Sequence, residues 1–166
     1  LFRSLERFGA VFKPSREPVW LNDDVVISGE IPMTNDFESV GEAFGVRENG
    51  VINKDVEMID EKALYIKTEK GLIIVLGCAH RGTINTIHDA QRLTGVEQVY
   101  MVIGGTHLAN VPEYRMVSTI NELKRLGVRK LGVSHCTGMK ESARLAAEFG
   151  SDIFFFNNVS TVVAHN

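Results

Sequence analysis

The chain is short of the residues that announce several protein classes. Two cysteines in 166 residues are too few for a disulfide framework and suit a reducing compartment, so a cytoplasmic protein is expected. Prolines number only four, and two of them, Pro14 and Pro18, mark a single loop. There is no excess of positive charge: 18 basic residues against 21 acidic ones give a net charge of −3. That excludes a dedicated nucleic-acid surface, which is basic and clustered. Lys124, Arg125, Arg129 and Lys130 straddle a turn and read as a solvated helix end. No apolar run approaches the roughly 20 residues of a membrane span, and no signal peptide is visible. Also missing are a G-x-S-x-G elbow, a phosphate loop, and any H-x-H or H-E-x-x-H element. The chain begins Leu1-Phe2-Arg3-Ser4 without an initiator methionine, which suggests a processed or truncated polypeptide.

What is present is regular. With 44% hydrophobic residues, the chain can bury one core. Residues 1–24 read as a peripheral segment, with Leu1, Leu5 and Phe8 on one short helical face, and residues 25–166 as the folded body. Val25-Val26-Ile27-Ser28 reads as a strand. The stretch from Met33 to about Ile59 is irregular, and reads as a lid or binding element or as a surface insertion. Ala63 to Thr68 and Leu72 to Leu76 are strands around a glycine turn. Thr83 is placed to cap a helix with Ile84, Ile87, Ala90 and Leu93 inward, stopped by Gly95. Val99 to Ile103 is a strand, and Pro112 opens a helix that ends near Gly127. Leu131 to Val133 is a strand, Ser142 to Phe149 a helix, and Ile153 to Phe156 and Thr161 to Val163 are the last strands. The order predicts an α/β fold: a mixed sheet with βα crossovers.

Three of these units end alike. Gly77-Cys78-Ala79-His80, Gly104-Gly105-Thr106-His107 and Val133-Ser134-His135-Cys136 each follow an apolar run and precede an amphipathic stretch. The histidines stand 27 and 28 residues apart, about one strand plus one crossover helix. Parallel strands so linked end on one edge of their sheet, where open α/β folds bind ligands. Three imidazoles and two thiols are therefore expected on one rim. Imidazole is the commonest metal ligand among side chains, so His80 and His135 are candidate metal donors. His107, behind a Gly-Gly turn that allows close approach, is a candidate to bind metal, donate a proton or hold an anion. Adjacent residues leave a strand on opposite sides, so only one of His135 and Cys136 is expected to face the centre. Cys136 and Cys78 are assigned to packing or support. A cysteine nucleophile at Cys78 is disfavoured, because residues two apart on a turn rarely meet in base-to-thiol geometry. His88, inside a helix, and His165, next to the last residue, are expected to be structural or incidental.

At these turns the chain resembles the C-terminal half of metallo-β-lactamase-fold proteins, and most of all the dihydropterin-methyl-ribofuranosylaminobenzene-phosphate synthase-like subgroup. The matching segments are Ser28-Gly29-Glu30-Ile31-Pro32, Asp60-Glu61-Lys62-Ala63-Leu64, Gly71 through Gly82, Ile103 through Leu108, and Ser134-His135-Cys136-Thr137-Gly138. The resemblance implies half of an αββα sandwich, with one or two divalent metals (zinc, manganese or iron) at its edge. It aligns His80 with a histidine of the first metal and His135 with one of the second. Where the superfamily usually has a bridging aspartate, this chain has Gly104-Gly105-Thr106-His107. The H-x-H-x-D-H signature is absent and would precede Leu1, so the site is expected to be incomplete and this chain alone inactive. The implied activity is metal-dependent hydrolysis, or pterin-type synthesis joining a dihydropterin diphosphate to an aminobenzene ribose phosphate. Arg81 is a candidate contact for the phosphorylated substrate. The alternatives are a non-catalytic remnant that binds a phosphorylated ligand, or a subunit completed by a separate N-terminal half. A bare apolar face awaiting that half predicts self-association.

Overall fold

Hydrophobic periodicity decides most of the architecture, as seen in a computed structural model that describes residues 2–41, 44–54 and 57–164. The elements are α1 (Phe2–Glu6), β1 (Val19–Trp20), β2 (Val25–Ile27), β3 (Gly45–Glu48), β4 (Val51–Lys54), β5 (Ala63–Thr68), β6 (Gly71–Leu76), α2 (Thr83–Thr94), β7 (Val99–Gly105), α3 (Glu113–Arg125), β8 (Lys130–Ser134), a 3-10 turn (His135–Thr137), α4 (Met139–Ile153) and β9 (Phe154–Phe156). Seven strands form one mixed sheet in the order β1-β2-β5-β6-β7-β8-β9. The pairs from β1 to β6 are antiparallel and those from β6 to β9 are parallel. This is the expected α/β fold.

Crossovers between parallel strands share one hand as a rule, so the steady advance from β6 to β9 puts α2, α3 and α4 on one face of the sheet. Val26, Tyr65, Ile74, Val102, Leu131 and Phe154 lie side by side in register and form the buried row beneath them. Tyr65 crosses to α2, where its hydroxyl donates to Asp89 at 2.9 Å. Alternation then sends Ile27, Leu64, Val75, Ile103 and Phe155 to the opposite face, where all five are only half-buried. One face of the sheet is thus packed by helices, and the other is apolar and partly open. No helix among the described residues is long and apolar enough to cross a membrane.

Three local expectations are corrected. Residues 33–59 are not wholly irregular: β3 and β4 form a separate hairpin around Asn49-Gly50, both at positive φ (51° and 84°). Asn-Gly is the dipeptide that such a turn requires. Thr83 does not cap α2. The N-cap is Gly82, and the carboxylate of Glu38, far away in sequence, accepts the Ile84 and Asn85 amides at 2.9 and 2.8 Å. A Cβ on Gly82 would sit within the Glu38 side chain, so the glycine makes room for this distant cap. Finally, Thr161 to Val163 form no strand, because the segment is exposed and turns back on itself, the Thr161 amide donating to Asn158 O at 3.0 Å.

Candidate metal centre

Three sharp turns converge at the C-terminal ends of β6, β7 and β8. Each contains a non-glycine residue in the left-handed region: Ala79 (φ 54°), His107 (φ 46°) and His135 (φ 52°). Such conformations are unfavourable and concentrate at functional sites. Two glycines let the turns approach one another. A Cβ on Gly104 would lie within van der Waals radii of Leu76 O, and one on Gly105 would stand 2.7 Å from both Cys136 Sγ and Gly77 O. The Gly105 amide uses that space to donate to Gly77 O at 3.0 Å. Thr106 Oγ1 donates to Thr137 Oγ1 at 2.9 Å and ties the second turn to the third.

His80 is held by Glu61, a nearly buried acid that precedes β5. The Glu61 carboxylate accepts the His80 and Arg81 amides at 2.5 Å and lies 3.3 Å from His80 Nδ1. A proton on Nδ1 shared with this carboxylate would leave Nε2 with its lone pair for a metal. A carboxylate behind an imidazole is the usual support of a metal-binding histidine.

The His80 and His107 rings meet edge to face, centroids 4.4 Å apart, and Phe44 packs against His80 at 4.6 Å. His107 is half-buried, and its Nδ1 has no hydrogen-bond partner among the described residues. Burial lowers its pKa from the usual histidine value, and nearby His80, Arg115 and His135 lower it further. The segment carrying Glu38 and Phe44 thus lies against the histidine turns, and Arg115 of α3 donates to Ser39 O at 2.8 Å.

His135 is exposed and lies elsewhere on the rim, its Nδ1 3.4 Å from Cys78 Sγ. Cys136 Sγ donates to Cys78 O at 3.4 Å. The donor atoms of Cys78, His135 and Cys136 all fall within 4.8 Å of one another. Both members of the His135-Cys136 pair therefore face one place, contrary to the alternation expected of a strand. The reason is local: residues 135–137 form a 3-10 turn with His135 at positive φ. Burial and the neighbouring Cys136 push the Cys78 thiol up to about 11.

Arg81 is buried and its Nη1 pairs with Glu30 at 3.0 Å, so its charge is already engaged. His88 on α2 meets the Thr34 hydroxyl at 3.1 Å. His165, and Leu1 of the expected N-terminal helical face, lie outside the described residues. The sequence marks the segment containing Glu61 by resemblance alone and assigns the acid no role. The available signal was the acidic pair Asp60-Glu61 just before a buried strand, in a segment the family resemblance already singled out.

No protein-family model matches the chain. It is 40% identical over 159 residues to the 7,8-dihydropterin-6-methyl-4-(β-D-ribofuranosyl)-aminobenzene-5'-phosphate synthase of Methanocaldococcus jannaschii, covering 92% of this chain and 52% of that protein. An uncharacterised protein of the same organism is 28% identical over 130 residues, covering 78% of this chain and 46% of its own length. The chain spans about half the length of these curated relatives. Its fold matches the crystal structure of a metal-dependent hydrolase of the β-lactamase superfamily with a TM-score of 0.74 and 25% identity, over 88% of this chain and 55% of that one. Fold and sequence agree with the turn-by-turn resemblance: the chain has a metallo-β-lactamase fold and is similar over nearly all of its length to about half of the dihydropterin synthase.

Proposed function

We propose that this rim is the share of a binuclear metal site contributed by the present chain, and that the complete site acts on a diphosphate or phosphorylated small molecule in a pterin-type synthesis. The Glu61–His80 pair carries this reading: a buried acid holds the His80 amide and stands 3.3 Å from its Nδ1, the arrangement that supports a metal-binding histidine through its other nitrogen. The 40% identity to a synthase that spans nearly all of this chain supports synthesis over simple hydrolysis.

His80 and His135 are the metal donors in this reading. When bound, zinc, manganese or iron supplies Lewis acidity toward phosphoryl oxygens. His107, its pKa lowered by burial and by nearby His80, Arg115 and His135, stands beside His80 as the candidate to bind metal, donate a proton or hold an anion. Arg81 serves as an anion contact only by exchanging Glu30 for the incoming phosphate. Phe44 shields the His80 ring on one side.

Two histidines are fewer donors than one catalytic zinc takes from protein. The remaining donors come from an N-terminal half packed on the open apolar face of the sheet, or from a second copy lying there. Two unbridged thiols fit a cytoplasmic setting. The competing reading, a non-catalytic module for a phosphorylated ligand, shares the rim but needs no metal.

The test supplies the longer polypeptide, with its upstream half, with a dihydropterin diphosphate and an aminobenzene ribose phosphate. Diphosphate release should depend on added metal, stop with chelator and fall at least about 100-fold in His80→Ala, as for loss of a donor or its support. Release that ignores both chelator and His80→Ala sinks the reading.

A further inference from the structure

The proposed reaction leaves two side chains unexplained: the Cys78 and Cys136 thiols, which come from different turns and point to the same place as His135. Their separation has a chemical meaning. Around a tetrahedral zinc with zinc–sulfur bonds of about 2.3 Å and zinc–nitrogen bonds of about 2.0 Å, sulfur and nitrogen donors stand roughly 3.5–3.8 Å apart. Here Cys78 Sγ and His135 Nδ1 are 3.4 Å apart, and no pair in the trio exceeds 4.8 Å. Shifts of about an ångström in side-chain position suffice to close such a set.

The backbone is built for this approach. Gly105 stands where any Cβ would strike Cys136 Sγ at 2.7 Å and crowd Cys78 Cα at 3.3 Å. His135 takes a positive φ of 52° at the start of the 3-10 turn, which puts it and its neighbour on one side. The two thiols are half-buried while His135 is exposed, so an ion has a way in. Both cysteines are free.

We propose that Cys78, His135 and Cys136 form a soft metal position, two sulfurs and one nitrogen, that takes a thiophilic divalent ion, zinc before magnesium or manganese. The inference rests on the functional reading above only in treating His135 as a metal donor. It makes His135 part of a position for which this chain supplies three donors, distinct in chemistry from the imidazoles at His80 and His107. Binding replaces two S–H bonds by two metal–thiolate bonds and releases two protons to solvent. A fourth place remains open, as in zinc sites that exchange a ligand. Soft thiolates decide the ion, because manganese and magnesium prefer oxygen donors.

The test uses cobalt(II) as a spectroscopic stand-in for zinc on the unmodified 166-residue chain. One equivalent should give a near-ultraviolet thiolate-to-cobalt charge-transfer band that zinc bleaches. Cys78→Ser and Cys136→Ser should each remove roughly half of the band's intensity, and the double variant all of it. His80→Ala should leave it in place. A second arm needs no variant: zinc should slow alkylation of both thiols at least about tenfold, and magnesium should not. Cobalt binding without the band, a band that survives the double substitution, or thiols alkylated equally fast with zinc overturns the proposal. Failure of the two readings is distinguishable. Cobalt bound without the band, but lost in His80→Ala, removes the thiolate position and keeps the rim. A full band in a protein whose longer form shows no metal-dependent diphosphate release keeps the thiolate position and removes the synthase.

Discussion

The parallel half of the sheet and the segment between β2 and β5 are built on different physics. From Ala63 to Phe156 the elements follow from hydrophobic period, and their energy lies in buried rows such as Tyr65, Ile74, Val102 and Leu131. Between residues 28 and 62 there is little periodicity, and the contribution is made by single acids. Glu38 and Glu61 grip the two ends of the turn that carries His80, Glu61 holding the His80 and Arg81 amides, Glu38 those of Ile84 and Asn85. The first region makes the scaffold, and the second aims one imidazole. A helix N-terminus favours negative charge, so distant carboxylates are well suited to fix it.

Substitutions can break that contrast. Ile74→Ala should cost the most, about 2–5 kcal/mol in denaturant unfolding, since it opens a cavity in a fully buried row. Glu38→Ala should cost about 1–3 kcal/mol, because it strips a buried charged acceptor from two amides of α2. A loss under about 0.3 kcal/mol would show that water replaces the carboxylate as cap. Glu61→Gln should weaken metal affinity about 10–100-fold, an effect of supporting acids behind ligating histidines, as read by competition with a chromophoric chelator. The unfolding midpoint should move much less than the affinity.

A pH series gives a smaller effect with a defined sign. The pKa of His107 is lowered in the fold, mainly by burial, so the unfolded chain binds its proton first as pH falls. Stability of the metal-free protein should therefore decline once pH drops below about 6.5, and the loss is complete below the lowered folded value. His107→Gln should flatten that slope in urea midpoints measured between about pH 7 and 5. A slope that is unchanged assigns the loss to other groups. The smallest effect should come from Gly50→Ala. It strains a left-handed turn residue, yet the β3–β4 hairpin is exposed, so global stability should change by less than about 0.5 kcal/mol.

Legibility in the sequence followed the same division. The helix over Thr83–Thr94, with Ile84, Ile87 and Ala90 inward and Gly95 as its stop, was readable because both period and cap are local. So was the run of parallel strands, which places the three histidine turns on one edge. The hairpin at Asn49-Gly50 also carries a local signal, the Asn-Gly dipeptide, although the stretch around it has no strand-like alternation. Glu38 as the cap of α2 was not, since it lies 44 residues before Gly82 and nothing local marks it. Nor was the joint facing of His135 and Cys136, because strand alternation does not hold in the 3-10 turn they occupy.

Composition and pattern alone determined an α/β sheet with βα crossovers and put three imidazoles and two thiols on its C-terminal rim. That much depends on contacts within about one helix or strand, where period and turn chemistry are written in neighbouring residues. Only the tertiary structure decided how the rim is shared out, with His80 between Glu61, Phe44 and His107, and His135 beside the two sulfurs. Those pairings join segments tens of residues apart. They are fixed by backbone approach at Gly104 and Gly105 and by left-handed turn residues, geometry that no local pattern encodes.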